Sequence, residues 1–137
     1  MQIIFYNFIN SDKMLEVGVK NKVEKIVGKS DTASHYGSGL LEVFATPAMI
    51  ALMEQSAHLL AKMYLPDNED TVGIEVSIKH IKATPIGASV YSEAELINID
   101  GKKLTFKVTA FDQSGEIGNG THIRYIINPS KFMDKLS

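Results

Sequence analysis

From Thr46 to Tyr64 the apolar residues Met49, Ile50, Met53, Ala57, Leu60, Ala61 and Tyr64 recur at helical spacing, the stripe of an amphipathic helix. Thr46-Pro47 predicts the start, with threonine as N-cap and proline at the first helical position. Pro66 and Asp67 predict the stop. A helix of about 18 residues is about 27 Å long, which is long for so short a chain. Beyond it the period falls to two. Val72, Ile74, Val76, Ile78 and His80 are expected on one face of a strand, with Gly73, Glu75, Ser77 and Lys79 on the other. Thr84-Pro85-Ile86-Gly87 predicts a turn, and residues 88–99 a second strand. Asn98-Ile99-Asp100-Gly101 is a hairpin signal. A third strand follows over 103–112, with Leu104, Phe106, Val108 and Ala110 on one face. Gln113-Ser114-Gly115 turns into a fourth over 116–128, and residues 130–137 form a polar tail.

Ahead of the helix, residues 15–29 read as a strand pair or one bent strand. Residues 30–45 read as a loop or lid. Short turns make consecutive strands antiparallel, and the one long helix must bury its stripe against them. The expected architecture is α+β of the hotdog type, a curved antiparallel sheet of about five strands wrapped around one long central helix. An open α+β barrel is the alternative, and it needs more helices than the pattern supplies. Residues 1–14 read as an N-terminal extension, 15–132 as the domain and 133–137 as a short C-terminal tail.

The chain has 137 residues, enough for one domain with a real core. Its 14 Lys+Arg against 16 Asp+Glu give a net charge of −2, a balance that argues against nucleic acid as partner. There is no cysteine, which removes disulfides, thiol nucleophiles and cysteine-based metal sites. No segment has transmembrane length, so no membrane partner is expected and the cytoplasm is the default location. No histidine and carboxylate spacing suggests a metal.

What chemistry remains belongs to hydroxyls, carboxylates and imidazoles. Glu54 lies mid-helix on the stripe Pro47, Ile50, Glu54, Ala57, Ala61, where a carboxylate needs a reason such as pairing or a raised pKa. Emergence at an edge, or a pair with His58 one turn on, would also explain it. His80 closes a strand of apolar inward positions, and a desolvated imidazole there suits a proton acceptor. Alternatively it is a core-edge histidine with one hydrogen bond. Thr46 sits where helix amides stabilise an anionic oxygen. Arg124 lies mid-strand between Ile123 and Tyr125, on a solvated face or as an anion clamp. His58 and His122 are weaker candidates, and Lys79 and Lys82 are available to nucleotide phosphates.

Three segments carry a resemblance: Glu42-Val43-Phe44-Ala45-Thr46-Pro47-Ala48-Met49 with Glu54, then Ile78-Lys79-His80-Ile81-Lys82-Ala83-Thr84-Pro85-Ile86-Gly87, then Glu116-Ile117-Gly118-Asn119-Gly120-Thr121-His122. Over roughly residues 15–132 the chain resembles the hotdog-fold thioesterases related to fluoroacetyl-CoA thioesterase. The resemblance implies catalytic roles for Thr46, Glu54 and His80, and an acyl pocket lined by Gly73 and Arg124. The fluoroacetyl-specific enzyme carries phenylalanines in the loop before the helix. Here the loop reads His35-Tyr36-Gly37-Ser38-Gly39-Leu40-Leu41, which leaves Leu40 and Phe44 as its expected substrate-binding residues. The implied reaction is hydrolysis of a small or short-chain acyl-CoA, with coenzyme A entering as part of the substrate and no separate cofactor.

Thr46 and Glu54, eight residues apart on one helix, are separated by about 12 Å along its axis. They cannot act on one carbonyl within a single chain, so a homodimer with two sites across its interface is expected, possibly paired into a tetramer. A non-catalytic acyl-CoA-binding module is the competing reading. A hydratase or dehydratase is less favoured, because no Asp lies between Asp31 and Asp67 near the helix start.

Overall fold

The computed structural model describes residues 14–137; all but Met14 of the expected N-terminal extension lies outside that range. In order, the elements are β1 (Lys20–Ile26), a 3-10 turn (Lys29–Asp31), α1 (Ala33–Tyr36), α2 (Thr46–Lys62), β2 (Asp70–His80), β3 (Ser89–Asp100), β4 (Lys103–Asp112), β5 (Gly115–Ile127) and α3 (Pro129–Asp134). The strands form one antiparallel sheet in the order β1-β3-β4-β5-β2. Helix α2 packs against all five strands, which is the expected α+β arrangement.

Alternation builds the core. Val90, Ala94 and Leu96 on β3 and Leu104, Phe106, Val108 and Ala110 on β4 are buried against Met49, Leu52, Met53, Ala57 and Leu60 of α2. Each large side chain removed from water contributes about 1.5–3 kcal/mol. Where helix and sheet carry serines the contact remains polar and satisfied. Ser56 donates to the Met53 carbonyl at 2.8 Å and shares a 3.0 Å hydrogen bond with Ser92.

Of the two arrangements expected for residues 15–29, a strand pair or one strand, the single strand β1 is present. Other expectations are corrected. The lid of residues 30–45 contains α1, capped by the Thr32 hydroxyl and closed by Gly37 at φ 72°, together with short bridges from Phe44 to Thr32 and from Val43 to Pro85. The polar tail is in part helical, because Asn128 caps α3 and Pro129 suits its first turn.

The alternation along β2 is also broken. Its register with β5 pairs Gly73 with Arg124 and then Glu75 with Ile123, so Ile74 is an extra, bulged residue. Directly paired residues share a face. Thr71 and Gly73 therefore lie on the same inward face as Val76, Ile78 and His80, and Val72 is turned away. Strand β2 is an edge, paired with β5 alone, and Ile74 and Val76 on it are 55% and 45% exposed.

Candidate active site

Helix α2 starts one residue earlier than the Thr-Pro signal indicates. The N-cap is Ala45, in extended conformation with no side-chain cap, so Thr46 is the first helical residue and Pro47 the second. The Thr46 hydroxyl, expected to cap the helix, is thereby free for another partner. It lies 2.8 Å from Nδ1 of His80, the last residue of β2. Burial pushes the His80 imidazole below its ordinary value, against a smaller upward pull from the Lys82 backbone. His80 is therefore neutral at pH 7 and able to accept a proton. Its buried Nε2 has no hydrogen-bond partner among the described residues. Phe44, Ala45, Ile81 and Lys82 line the hollow beside this pair, and the first-turn amides of α2 lack intrahelical acceptors.

The chain around His80 is fixed by the segment that follows it. Ile81 N–H donates to the Ile117 carbonyl at 2.8 Å, and Phe44 N–H to the Thr84 carbonyl at 2.8 Å. Thr84, fully buried, donates its hydroxyl to Asp112 at 3.0 Å. Lys82 bonds both oxygens of the same carboxylate at 3.1 Å. Burial pushes the Asp112 carboxyl up, but the Ser114 backbone N–H, Lys82 and Thr84 together hold it below its ordinary value. Lys82 is thus an anchor of this loop.

Two turns along α2 a second group converges. The bulge at Ile74 brings Gly73 under Glu54, so that a Cβ at residue 73 would lie 3.0 Å from Glu54 Oε2, 3.0 Å from His122 Cε1 and 3.3 Å from Arg124 Nη1. Arg124 is only 7% exposed. Its Nε donates to the Thr71 hydroxyl at 2.7 Å, Nη2 to the Thr71 carbonyl at 3.0 Å and Nη1 to His122 Nε2 at 3.0 Å. A guanidinium has five N–H donors, so two remain. No carboxylate among the described residues forms an ion pair with it. Burial lowers its pKa, with Glu54 and Asp70 opposing that shift. This is a desolvated cation beside a half-exposed carboxylate, over a floor that has no side chain.

The sequence-predicted residues therefore fall into two poles. Thr46 and His80 meet, with Phe44 beside them; Glu54, Gly73 and Arg124 meet; and the two poles stand eight helix residues apart within one chain. Leu40 lines neither, and projects into solvent from the loop after α1. Glu54 does not pair with His58, which instead bonds Asp70 at 2.7 Å. Sequence reasoning undervalued His122 and missed Thr71. Their signal was spacing: His122 is two residues before Arg124 on one strand, and Thr71 two before Gly73, so each pair shares a face. Among the described residues, no three histidine or acidic side chains are grouped to hold a metal ion, and no helix is long and apolar enough to cross a membrane.

Comparison with known proteins gives a consistent result. The model of the family FlK, fluoroacetyl-CoA-specific thioesterase, matches residues 27–130. The fluoroacetyl-CoA thioesterase of Streptantibioticus cattleyicolor is 40% identical over 95 residues, covering 69% of this chain and 68% of that protein. A solved structure of the fluoroacetyl-CoA thioesterase FlK superposes with a TM-score of 0.85 at 34% identity, over 90% of this chain and 96% of that one. A Thermus thermophilus thioesterase superfamily member, 22% identical, shares the fold with a TM-score of 0.83 over 90% and 92% of the two chains.

Proposed function

The chain belongs to the FlK family of thioesterases and is an acyl-CoA thioesterase, and we propose that it hydrolyses a small acyl-CoA at a site completed across a two-fold interface. The observation that carries this reading is the separation of the two poles. Thr46 and His80 form one hydrogen-bonded half of a hydrolytic site, and Glu54 with Arg124 forms the other. Eight helix residues, about 12 Å along the axis, keep the two halves of one chain from meeting on one carbonyl.

In the assembled site, the open amides at the start of α2 polarise the thioester carbonyl. The Glu54 carboxylate takes a proton from water as the water oxygen bonds the carbonyl carbon, or attacks that carbon itself to give an anhydride that water then opens. Thr46 orients the attacking group, and His80 receives or returns the proton. The C–S bond breaks and coenzyme A leaves as the thiolate, so the reading needs no separate cofactor. The close floor at Gly73 suits a small acyl group, and Arg124 offers it N–H donors.

A single two-fold axis joins the halves. If Thr46 of one subunit meets the Glu54 position of the other, the axis passes midway, at Ile50. If Gly73 faces the His80 position of the second copy, the axis crosses β2 between Val76 and Ser77. Ile50 and Val76 beside these midpoints are apolar, and Val76 is 45% exposed on an edge strand. An uncovered apolar edge strand is what a second copy covers in a closed dimer. A cytoplasmic location goes with the substrate on this reading.

Free-thiol release from a panel of short acyl-CoAs, with native protein and Glu54→Ala, tests the proposal. Turnover of one member, reduced by orders of magnitude in the variant, supports it. Acyl-CoA binding without thiol release from any member sinks it, and favours a ligand-binding hotdog protein.

A further inference from the structure

His122 is 1% exposed, and its surroundings define its proton. Nδ1 lies 2.8 Å from the Glu75 carbonyl, which accepts only, so Nδ1 carries a hydrogen. Nε2 lies 3.0 Å from Arg124 Nη1. A guanidinium only donates, so Nε2 must present its lone pair. Both requirements are met by one species, the neutral Nδ1–H tautomer. Glu54 Oε2 stands 4.0 Å from the same Nε2, and with no proton there the contact is not an ion pair.

We infer that His122 is a positioning residue for this hydrolysis: as a neutral Nδ1–H imidazole it aims the Arg124 guanidinium over Gly73 and leaves the Glu54 carboxylate unpaired. The inference rests on the reading of Glu54 and Arg124 as half of a thioesterase site. The groups around His122 divide, with burial and the nearby cation on the side of the neutral ring. Arg124 on its own strand is a cation, and β4 presents Phe106 directly opposite. Strand β2 presents Val76 and the Glu75 carbonyl. The Glu75 carbonyl and, from α2, the Glu54 carboxylate favour a second proton. Burial holds the imidazole below its ordinary value, the Glu75 carbonyl raises it, Arg124 lowers it and Glu54 raises it, with a net downward shift.

Protonation at Nε2 would change both neighbours at once. His122 could no longer accept from Arg124 Nη1, and a new cation would face the guanidinium. The Glu54 carboxylate would gain an ion-pair partner and lose its availability as base or nucleophile. The neutral tautomer therefore keeps the carboxylate reactive and the guanidinium aimed.

Two measurements decide the role. Nitrogen-15 NMR of the histidine rings in the native full chain is expected to show His122 protonated at Nδ1 and bare at Nε2 at pH 7. An Nε2–H tautomer or an imidazolium at pH 7 overturns the inference. In thiol-release assays with acetyl-, propionyl- and butyryl-CoA, His122→Ala is expected to lower kcat about 100-fold, as loss of positioning does, with a far smaller change in KM. His122→Gln, whose side-chain oxygen can accept from Arg124 without titrating, is expected to recover about tenfold of that loss. Native kcat in His122→Ala, or no recovery in a folded His122→Gln, overturns the role. If His122→Ala does not fold, the glutamine variant and the NMR decide. A native protein that releases no thiol fails the hydrolase reading itself, and the NMR still shows separately whether His122 has the stated proton.

Discussion

Glu54 and Gly73 approach so closely that a methyl group fits between them only if a neighbour gives way by a few tenths of an ångström. A Cβ added at residue 73 would stand 3.0 Å from Glu54 Oε2 and 3.0 Å from His122 Cε1, tighter than ordinary van der Waals contact. His122 cannot yield without losing the Glu75 carbonyl or Arg124. The carboxylate, half-exposed, is the group that moves. Gly73→Ala is therefore expected to lower kcat/KM for a short acyl-CoA by about one to two orders of magnitude, because displacement of a reacting group by a fraction of an ångström is expensive. The melting temperature should change little. Native kcat/KM in this variant would mean that Glu54 does not act from its present position.

Stability should depend on pH in two separate windows. His80 and His122 both have native pKa values below the ordinary 6.5, chiefly through burial. Between that value and the lower native one, the unfolded chain binds more protons than the native protein, so stability falls as pH falls. Asp31, Asp70 and Asp112 also lie below their ordinary 3.8. Burial raises each, but hydrogen bonds and nearby cations together lower it. Their contribution is intact above that value and is lost as pH drops through their lower native values. Thermal melts should be level from pH 8 to 7, decline below about 6.5 and decline again below about 4. His122→Gln should flatten the first decline. A melting temperature independent of pH between 7 and 5 would contradict the buried, neutral assignment of both histidines.

Much of the fold was legible because its elements obey simple periods. The stripe Met49, Met53, Ala57, Leu60 and the alternation Leu104, Phe106, Val108, Ala110 both describe faces that are buried. The failures have physical causes. Ile74 fits a period of two, so nothing in the pattern marks it as the extra residue that shifts β2 against β5. That shift puts Gly73 on the face of His80. Thr46 has the composition of an N-cap, but the chain enters α2 through Ala45, whose N–H bonds the Asp31 carbonyl at 2.8 Å. Glu54 was visible as a polar residue on an apolar stripe. Its surroundings were not, because they come from β2 and β5, far away in sequence.

The glycines of the Glu116–His122 segment make a structural demand that sequence resemblance alone leaves unexplained. A Cβ at residue 120 would collide with the Ser77 carbonyl oxygen, and one at residue 118 would lie 2.5 Å from Met49 Sδ and 2.9 Å from the Lys79 carbonyl oxygen. Strand β5 can approach β2 and α2 only without side chains there. Gly120→Ala is expected to destabilise the protein by about 1–3 kcal/mol, the usual range for overpacking. Its effect should be read in denaturant unfolding as a lower midpoint. An unchanged midpoint would show that β2 and β5 can separate at no cost.

Thr46 and Glu54 share a helix but face different halves of the proposed site, which makes their separation measurable. Thr46→Ala and Glu54→Ala homodimers each lack one group in both sites and should be nearly inactive. In a heterodimer of the two variants, one site carries both alanines. The other joins the intact Thr46 of one chain to the intact Glu54 of its partner. Equal mixing with random re-association makes half of the dimers mixed, each with one good site of two, so roughly a quarter of native activity should return. Val76→Glu in either partner should prevent this recovery by placing charge at the expected axis, and should shift the protein toward monomer in sedimentation. No recovery from a mixture shown to have exchanged subunits would place both residues in the same chain's site, and the two-fold arrangement would have to be given up.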